Sequence, residues 1–480
     1  MKNPEYFIKT AALLLLLEFS PAFTVSAQWS QPVNLSPNAV SALLNESMGP
    51  CIGVSGVTIH VVWADRFTSK KGAIFYTASA DTGLAWSTPV AITDLNGNAW
   101  NPAIAVNGSN IHVVWREIDT INQHRSSHYK HSLDGGISWG PNVCLDTVIA
   151  NWPAVAVSGD MVYVANDIVT SSSPYNTEIF FLKSDDNGTT WSTHQQLTFA
   201  TGRSEDEAIT AQGSQVHMAW NDNRSGRMQI FYKRSTDYGA TWDPDVVVIP
   251  PSDYGTMVSA NGANIDIPCA GAVTGHYQIL LAQSSDSGVS WGTQTNVTND
   301  TAQTFYYPYM VRDSNDLHMT CVKSGVGCQY LHSGNGGATW DSQYNMGFSN
   351  ITPFIAYTGC VLHVIIPDSG HINYIRNPTG NSGSHCNTTT GVSPLRKGEL
   401  VVKQFPNPFN LQTTIDFSST ENPGNFILKV YDVVGREIIC SEFGKNNKII
   451  IGRDKLQSGV YFYRVLQKET IIKTGKMLAE

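Results

Sequence analysis

Charged side chains are scarce in this chain of 480 residues, where Asp, Glu, Lys and Arg together make up 14 %. Acidic residues outnumber basic ones by 39 to 30, which gives a formal net charge of −9 at pH 7. A nucleic-acid-binding protein needs a basic surface to neutralise phosphates, so this balance argues against that class. Disordered chains are poor in aromatic residues, whereas this chain is 10 % aromatic and 41 % hydrophobic. The composition favours a folded protein of roughly two to four domains.

Long apolar runs are also missing, apart from one near the N-terminus. Two lysines precede the short apolar run of residues 11–17, and Val25-Ser-Ala27 offers the small residues that a signal peptidase requires. The run ends at Glu18 and is shorter than the roughly 18 apolar residues of a membrane-spanning helix. The sequence therefore predicts a signal peptide over residues 1–27, no transmembrane segment, and a secreted or cell-surface protein.

Cysteine is sparse, with eight residues in the chain. That number is too small for a scaffold built on disulfides, even in an exported protein. Cys321 and Cys328 flank a predicted hairpin loop, and a disulfide and two half-buried thiols are equally compatible with their positions. No group of Cys and His has the spacing of a zinc site, and we expect neither a metal nor a cofactor.

The most informative feature is an internal repeat of the form Ser-x-Asp-x-Gly-x-x-Trp. Five copies are complete, a sixth has Asn in place of Asp, and successive copies lie 49–53 residues apart. An Asp or Asn side chain fixes a tight turn by accepting backbone hydrogen bonds, Gly supplies a positive φ, and the Trp can pack between units. The pattern thus predicts a structural role for the acidic or amide residue of every copy, namely Asp81, Asp134, Asp186, Asp237, Asp286 and Asn335.

Alternating apolar runs around each copy predict four antiparallel strands per unit, which is the pattern of a β-propeller blade. Seven predicted inner strands indicate a seven-bladed β-propeller, with six blades as the alternative if the ends are irregular. The last unit lacks a copy of the repeat, and residues 29–33 resemble the segment after the other copies, so the N-terminus is expected to complete the last blade. The second strands share a histidine at one position, which we expect to be structural: His60, His112, His217, His318 and His363.

These copies resemble the Asp-box, or BNR, repeats of sialidase-type propellers found in exported bacterial proteins. The resemblance covers residues 28–378, and residues 216–242 are its clearest example. It implies an all-β propeller fold. It implies less about activity, because such repeats also occur in propellers that are not enzymes.

A polar stretch over residues 379–398 predicts a linker, and residues 399–480 form a second predicted domain with the short strands of a small Ig-like β-sandwich. Four motifs of this domain resemble the C-terminal sorting domain of the type IX secretion pathway: Pro-Asn-Pro-Phe-Asn at 406–410, Tyr-Asp-x-x-Gly-Arg at 431–436, Ser-Gly-Val-Tyr-Phe-Tyr-Arg at 458–464, and Lys476-Met477. The resemblance implies a partner in the type IX secretion machinery. It also implies export through the periplasm and outer membrane.

Ligands of a propeller usually bind around the central channel, on the face opposite to the repeat turns, which we call the ligand face. Trp100, Trp152 and Tyr307 precede predicted inner strands in one register, and aromatic rings beside Asp and Arg are typical of sugar-binding surfaces. Rings wedged between blades are the alternative interpretation. The candidate ligand-face residues are Asp65, Arg66, Trp100, Trp152, Arg203, Glu207, Asp222, Arg224, Tyr306 and Tyr307.

Binding and catalysis are the two functions that these residues allow. A sialidase-like exo-glycosidase would resemble its family in having three arginines, a Tyr/Glu nucleophile pair and an acidic Asp. The first arginine is missing from residues 48–53, and Tyr306 and Glu207 form a pair only if folding brings them together. The sequence therefore favours a non-catalytic module that binds an extracellular glycan or surface protein, with the exo-glycosidase as the alternative and a purely structural module as a third hypothesis. It assigns no catalytic residue.

Overall fold

The computed structural model divides the chain into two compact units, residues 1–388 and 389–480. It describes residues 29–45, 49–68, 70–119, 121–122, 124–146, 150–249, 255–348, 352–359 and 361–378 of the first unit, and 401–405, 409–418, 426–432, 436–443, 448–453, 456–467 and 470–479 of the second. The predicted signal peptide and linker lie outside these residues. The described chain is all-β, and none of its segments forms a helix that could cross a lipid bilayer.

Seven antiparallel sheets make up the described part of the first unit. We number them in chain order and name their strands inner, second, third and outer. In that order, sheet 1 contains Ile52–Ser55, Thr58–Thr68, Lys71–Ser79 and Val90–Ala91, and sheet 2 contains Ala99–Asn107, Asn110–Ile118, Arg125–Ser132 and Val143–Cys144. Sheet 3 contains Ala154–Ser158, Met161–Ser172, Tyr175–Ser184 and Gln195–Gln196, and sheet 4 contains Ser204–Gln212, Gln215–Asp222, Gln229–Ser235 and Val246–Ile249. Sheet 5 contains Ser259–Asn261, Asn264–Val273, His276–Ser284 and Thr295–Asn296, and sheet 6 contains Phe305–Asp313, Asp316–Lys323, Gly327–Ser333 and Tyr344–Asn345. Sheet 7 contains Phe354–Thr358, Val361–Asp368, His371–Asn377 and the N-terminal Val33–Asn34.

The seven inner strands surround one cavity. Each contacts the inner strand of the next sheet, and that of sheet 7 contacts that of sheet 1. All seven line a cavity of about 380 Å³, mostly with small apolar side chains such as Ala105, Ala156 and Ala211. The second strands are almost wholly buried because both of their faces pack against other sheets, which explains their nearly continuous apolar sequence.

The N-terminal segment joins the two ends of this arrangement. Val33 pairs with Tyr374 of sheet 7, and the backbone N–H of Ser30 donates to the carbonyl of Arg376 at 2.8 Å. Further along, Ala42–Leu43 pairs with the second strand of sheet 1. The outer strand of sheet 7 therefore comes from the N-terminus, as the sequence predicts, and the same segment reaches the first sheet.

The repeat turns lie at the ends of the third strands of sheets 1 to 6, and the copy at Asp186 shows their geometry. Its carboxylate accepts hydrogen bonds from the backbone N–H of Thr190 at 2.8 Å, the hydroxyl of Thr190 at 2.7 Å and the hydroxyl of Ser184 at 2.7 Å. Gly188 follows with φ of 83°, and a Cβ there would collide with the phenol of Tyr129 on the preceding sheet. The turn thus needs both its carboxylate and its glycine, and neither faces the ligand side.

One set of aromatic contacts connects neighbouring sheets. The Trp of a repeat packs edge-on against an aromatic ring on the third strand of the preceding sheet, as Trp191 does on Tyr129 with ring centroids 4.8 Å apart. The Tyr129 hydroxyl in turn lies 2.8 Å from Nδ1 of His112 and donates to the carbonyl of Asn187 in the next turn. The other predicted structural histidines make the same contact at 2.6–2.8 Å, in the pairs His60–Tyr76, His217–Tyr232, His318–Tyr330 and His363–Tyr374.

Cys321 and Cys328 lie on adjacent strands of sheet 6 as free, fully buried thiols. Cys321 is opposite Gln329, and Cys328 is opposite Val322, so the two cysteines are not paired across the strands. Burial raises the pKa of Cys321 to about 12. The sequence allowed either a disulfide or two half-buried thiols, and the structure shows two thiols. Both are fully buried, which is deeper than the sequence predicts.

The second unit contains two sheets in its described part. One consists of Val401–Phe405, Gln412–Ser418 and Lys448–Gly452, and the other of Phe426–Tyr431, Glu437–Phe443, Gly459–Gln467 and Thr470–Ala479. Both contribute to one core, which includes Phe409 of the Pro-Asn-Pro-Phe-Asn motif, Ile415, Leu428 and Met477 of the terminal motif. The sequence motifs thus supply core positions of this unit.

Candidate ligand face

The two faces of the first unit carry different loops. On one face, the repeat turn of each sheet meets the inner hairpin, as where the N–H of Thr82 donates to the carbonyl of Val57 at 3.0 Å. On the other, the hairpin between second and third strands meets the connection to the next sheet, as where the N–H of Gly72 donates to the carbonyl of Gly97 at 3.0 Å. The second face is the ligand face defined from the sequence.

A β-bulge recurs where three of the inner strands reach the ligand face. The pairing register skips two residues in sheets 2, 4 and 6, and the first skipped residue has positive φ each time: 51° at Asn101, 56° at Asp206 and 52° at Tyr307. Such bulges redirect side chains and are frequent near functional sites. The register aligns Trp100 with Glu205 and Tyr306, whereas Tyr307 aligns with Asn101. The predicted shared position of Trp100 and Tyr307 is therefore wrong by one residue.

Arg66 and Trp100 are brought together on neighbouring sheets. The guanidinium carbon of Arg66 lies 3.9 Å from the centroid of the Trp100 ring, whose N–H donates to Asn98. Both side chains are half-buried, and Arg66 has no acidic partner among the described residues. Asp65, the next residue, instead holds the N-terminal segment by accepting the N–H of Ser41 at 2.8 Å.

A similar, looser pair lies one sheet further around the ring. The guanidinium carbon of Arg116 is 5.8 Å from the centroid of the Trp152 ring, and its Nη2 donates to Asn101 at 3.2 Å. Beside it, Nη1 of Arg125 donates to the side-chain oxygen of Asn151 at 3.0 Å. Sheets 1 to 3 therefore present arginine and tryptophan side chains to the same face.

The remaining arginines predicted for this face are bound to carboxylates. Arg224 pairs with Asp222 at 2.6 Å and with Asp245 at 2.8 Å, and Arg203 lies 3.3 Å from Glu205. The Asp222 carboxylate also accepts from neighbouring groups of sheet 4. Arg224 is consequently neutralised within the fold.

Tyr306 and Glu207 have different neighbours. The ring of Tyr306 contacts those of Tyr277 and Tyr307, with centroids 5.5 and 6.1 Å apart. The charged groups that influence Glu207 are Asp167, Asp206 and Glu205. These contacts place Tyr306 among aromatic rings and Glu207 among acidic side chains.

Glu207 and Asp167 form a buried acidic pair where sheets 3 and 4 meet. Their exposed fractions are 2 % and 0 %. Burial raises the pKa of Asp167 to about 7, although a hydrogen bond from Asn151 at 3.0 Å opposes the shift. Burial, reinforced by the charge of Asp167, raises the pKa of Glu207 well above its ordinary value. Displaced carboxyl pKa values are frequent at functional sites.

Residues 18–319 match the family model of the BNR repeat-like domain. The chain belongs to this BNR repeat family. Residues 403–480 match the secretion system C-terminal sorting domain, which confirms the predicted sorting domain and indicates type IX export to the cell surface or extracellular space.

Solved structures similar to this BNR protein include lyases and sialidases. Polysaccharide lyase Uly1 is 12 % identical with a TM-score of 0.49, covering 69 % of this chain and 90 % of its own. A sialidase of Trypanosoma rangeli is 10 % identical with a TM-score of 0.41, covering 90 % and 84 %. A protein of unknown function from Dyadobacter fermentans is 12 % identical with a TM-score of 0.43, covering 72 % and 99 %. Comparison with curated protein sequences gives no match.

Sequence reasoning did not single out Arg116, Asn151 or Asp167 of this BNR protein. Aligning the second strands on the position of their shared histidine, which Tyr163 occupies in sheet 3, would have pointed to Arg116 and Asp167, because both lie four residues after it, where Ala64 stands in sheet 1. Asn151 carries no such signal. Among the described residues, no three His, Cys, Asp or Glu side chains are grouped as a metal site.

Proposed function

We propose that this protein is a secreted or surface-held, seven-bladed β-propeller that binds an acidic extracellular glycan on its ligand face. In this proposal the seven sheets are the blades, the second unit is an Ig-like sandwich used for type IX export, and the predicted signal peptide directs the first step of secretion. The closed series of inner-strand contacts around a single cavity supports the blade count.

The observation that carries the proposal is the stacking of Arg66 on Trp100 at 3.9 Å. An indole ring offers an apolar surface for the C–H face of a sugar, and an arginine without an acidic partner offers paired N–H donors to a carboxylate or sulfate. The stack holds the guanidinium in a fixed plane, which lowers the entropy lost on binding. An acidic sugar matches both groups at once.

The neighbouring pair extends this surface. Arg116 and Trp152 repeat the combination on the adjacent sheets, and Arg125 lies beside them. The carboxyl-rich part of the face, formed by sheets 3 and 4, lies next to this basic and aromatic part. A glycan carrying more than one acidic sugar would therefore be bound along sheets 1 to 3.

The full-length secreted protein should be applied to an array of sialylated, uronic-acid-containing, sulfated and neutral glycans. We expect binding of acidic members, and Arg66→Ala should weaken it more strongly than it weakens any residual binding of neutral members. Ile137→Ala is the matched control, because this side chain is 87 % exposed on a repeat turn of the opposite face. Acidic and neutral glycans affected equally by Arg66→Ala would contradict the assignment of the anion to this residue.

An exo-glycosidase is the second candidate, and the acidic pair favours it. Glycosidases use two carboxyl groups whose environments separate their pKa values, and Asp167 and Glu207 are such a buried pair beside the partly buried Glu205 and Asp206. Purified protein should be incubated with sialyl-lactose, other oligosaccharides and chromogenic glycosides. Turnover that is retained through purification and abolished by Glu205→Gln or Glu207→Gln would replace the binding proposal with this one.

A further inference from the structure

Glu207 occupies a position that two sister sheets give to proline. It is the second skipped residue of the bulge in sheet 4, and the corresponding residues of sheets 2 and 6 are Pro102 and Pro308. Both prolines are buried. A carboxyl group thus stands at a site whose surroundings otherwise hold an apolar ring.

The carboxyl oxygens of this residue receive no hydrogen bond from any other described residue. Neither Oε1 nor Oε2 of Glu207 has a partner among the described residues, and the same holds for Oδ1 of Asp167. Asp167 reaches the seam from the second strand of sheet 3, whose strands pack directly against the inner strand of sheet 4. Two fully ionised carboxylates in this position would be both desolvated and mutually repelled.

The charged groups around the pair do not neutralise it. Sheet 4 contributes Glu205 and Asp206, which precede Glu207 in the chain, and Arg203, which pairs with Glu205. Asp222 of the same sheet is bound to Arg224. From sheet 2, Arg125 contacts Asn151, which in turn donates to Asp167. The charged groups that act on the pair are Glu205 and Asp206, and Arg203 acts on both of these acids.

We propose that Asp167 and Glu207 share a single proton, and that this proton keeps the seam between sheets 3 and 4 closed beneath the ligand face until rising pH removes it. A protonated carboxyl is a donor as well as an acceptor, so one proton gives both residues a hydrogen-bond partner and leaves one negative charge instead of two. The observation that motivates this assignment is the burial of three carboxylate oxygens that receive no hydrogen bond from another described residue.

The pair is connected to the proposed glycan site through Asn151. Its side-chain N–H donates to Oδ2 of Asp167 at 3.0 Å, its oxygen accepts from Arg125, and Trp152 follows it in the chain. Loss of the shared proton therefore disturbs the residue that positions one end of the aromatic surface. This second consequence rests on the proposed glycan binding, whereas closure of the seam does not.

The sign of the effect follows from linkage. The pair retains a proton in the folded protein at pH values where an unfolded Asp or Glu has lost it, so its contribution is present near pH 4 and is lost as pH rises through about 7. In Glu207→Gln, an amide that cannot ionise replaces the carboxyl group that shares the proton. Its N–H can donate to Asp167 at every pH.

Thermal unfolding of the full-length protein from pH 5 to pH 8.5 tests the proposal. We expect the Tm of Glu207→Gln to match wild type near pH 5 and to exceed it by about 2 °C or more at pH 8, with Asp167→Asn behaving in the same way. Asp185→Asn is the control, because this exposed carboxylate lies on a repeat turn of the opposite face, and its pH profile should follow that of wild type.

Parallel pH profiles for wild type and both variants would overturn the shared proton, as would equal destabilisation of both variants at every pH. A rise in wild-type Tm on adding calcium, reversed by EGTA and absent from Glu207→Gln, would overturn it in favour of a bound cation. Glycan affinity across the same pH range is measured separately. If the protein binds no glycan, the melting curves still show whether Asp167 and Glu207 share a proton.

Discussion

The hydroxyl of Tyr129 is expected to stabilise the contact between sheets 2 and 3, and Tyr129→Phe removes that one atom. The hydroxyl is fully buried, lies 2.8 Å from His112 and donates to the turn carbonyl of Asn187. Its removal takes a partner from the buried Nδ1 of His112 and from the part-buried carbonyl of Asn187, and the loss of one buried partner costs about 1–3 kcal/mol before relaxation. The ring and its contact with Trp191 remain, so no large cavity forms. The expected loss is about 1–3 kcal/mol of unfolding free energy.

Chemical denaturation monitored by circular dichroism would measure this loss. Tyr175→Phe is the matched control, since this ring is 49 % exposed. Sheet 3 supplies a natural comparison, because it has Phe181 and Tyr163 where sheet 2 has Tyr129 and His112. The double variant His112→Tyr, Tyr129→Phe should therefore be more stable than Tyr129→Phe alone. A Tyr129→Phe protein within about 0.5 kcal/mol of wild type would refute the reasoning.

Two further predictions concern the ring and the turns. A chain that begins at Ser41 lacks the outer strand of sheet 7 and should unfold at lower temperature and less cooperatively, whereas an unchanged melting curve would contradict closure by the N-terminus. Asp186→Ala should lower the Tm, and because the hydrogen bonds of Thr190 and Ser184 lower the pKa of Asp186 to about 2, the difference from wild type should shrink as pH falls from 5 towards 2. A difference that does not change with pH would show that the carboxylate does not stabilise the turn.

Much of the fold was predictable because the copies of the repeat recur at a nearly constant spacing. The copies around Asp81 to Asn335 reveal the turn chemistry, and the strands between them follow from alternation. The outer strand of sheet 1 is short: residues 86–89 include Pro89, which lacks a backbone donor, and only Val90–Ala91 pairs. The contact of His112 with Tyr129 follows from position once the strand register is known.

The ligand face was less predictable because its residues differ from sheet to sheet. The stacking of Arg66 on Trp100 joins residues far apart in the sequence, and nothing local indicates it. The pairing of Arg224 with Asp222 and Asp245 likewise depends on loop geometry. In the sequence, Glu207 is one acidic residue among several. Its unusual position is recognised only from the register of the bulge, which aligns it with Pro102.

The affinity of the ligand-face variants for an acidic glycan tests the central claim most directly. A stacking ring contributes about 1–3 kcal/mol, so Trp100→Ala and Trp152→Ala in the full-length protein should each weaken the ligand roughly 5- to 150-fold in calorimetric titrations. The opposite-face control Ile137→Ala should bind like wild type, and all three variants should retain the wild-type circular dichroism spectrum. Unchanged affinity in both folded tryptophan variants would show that the glycan is not bound at this face.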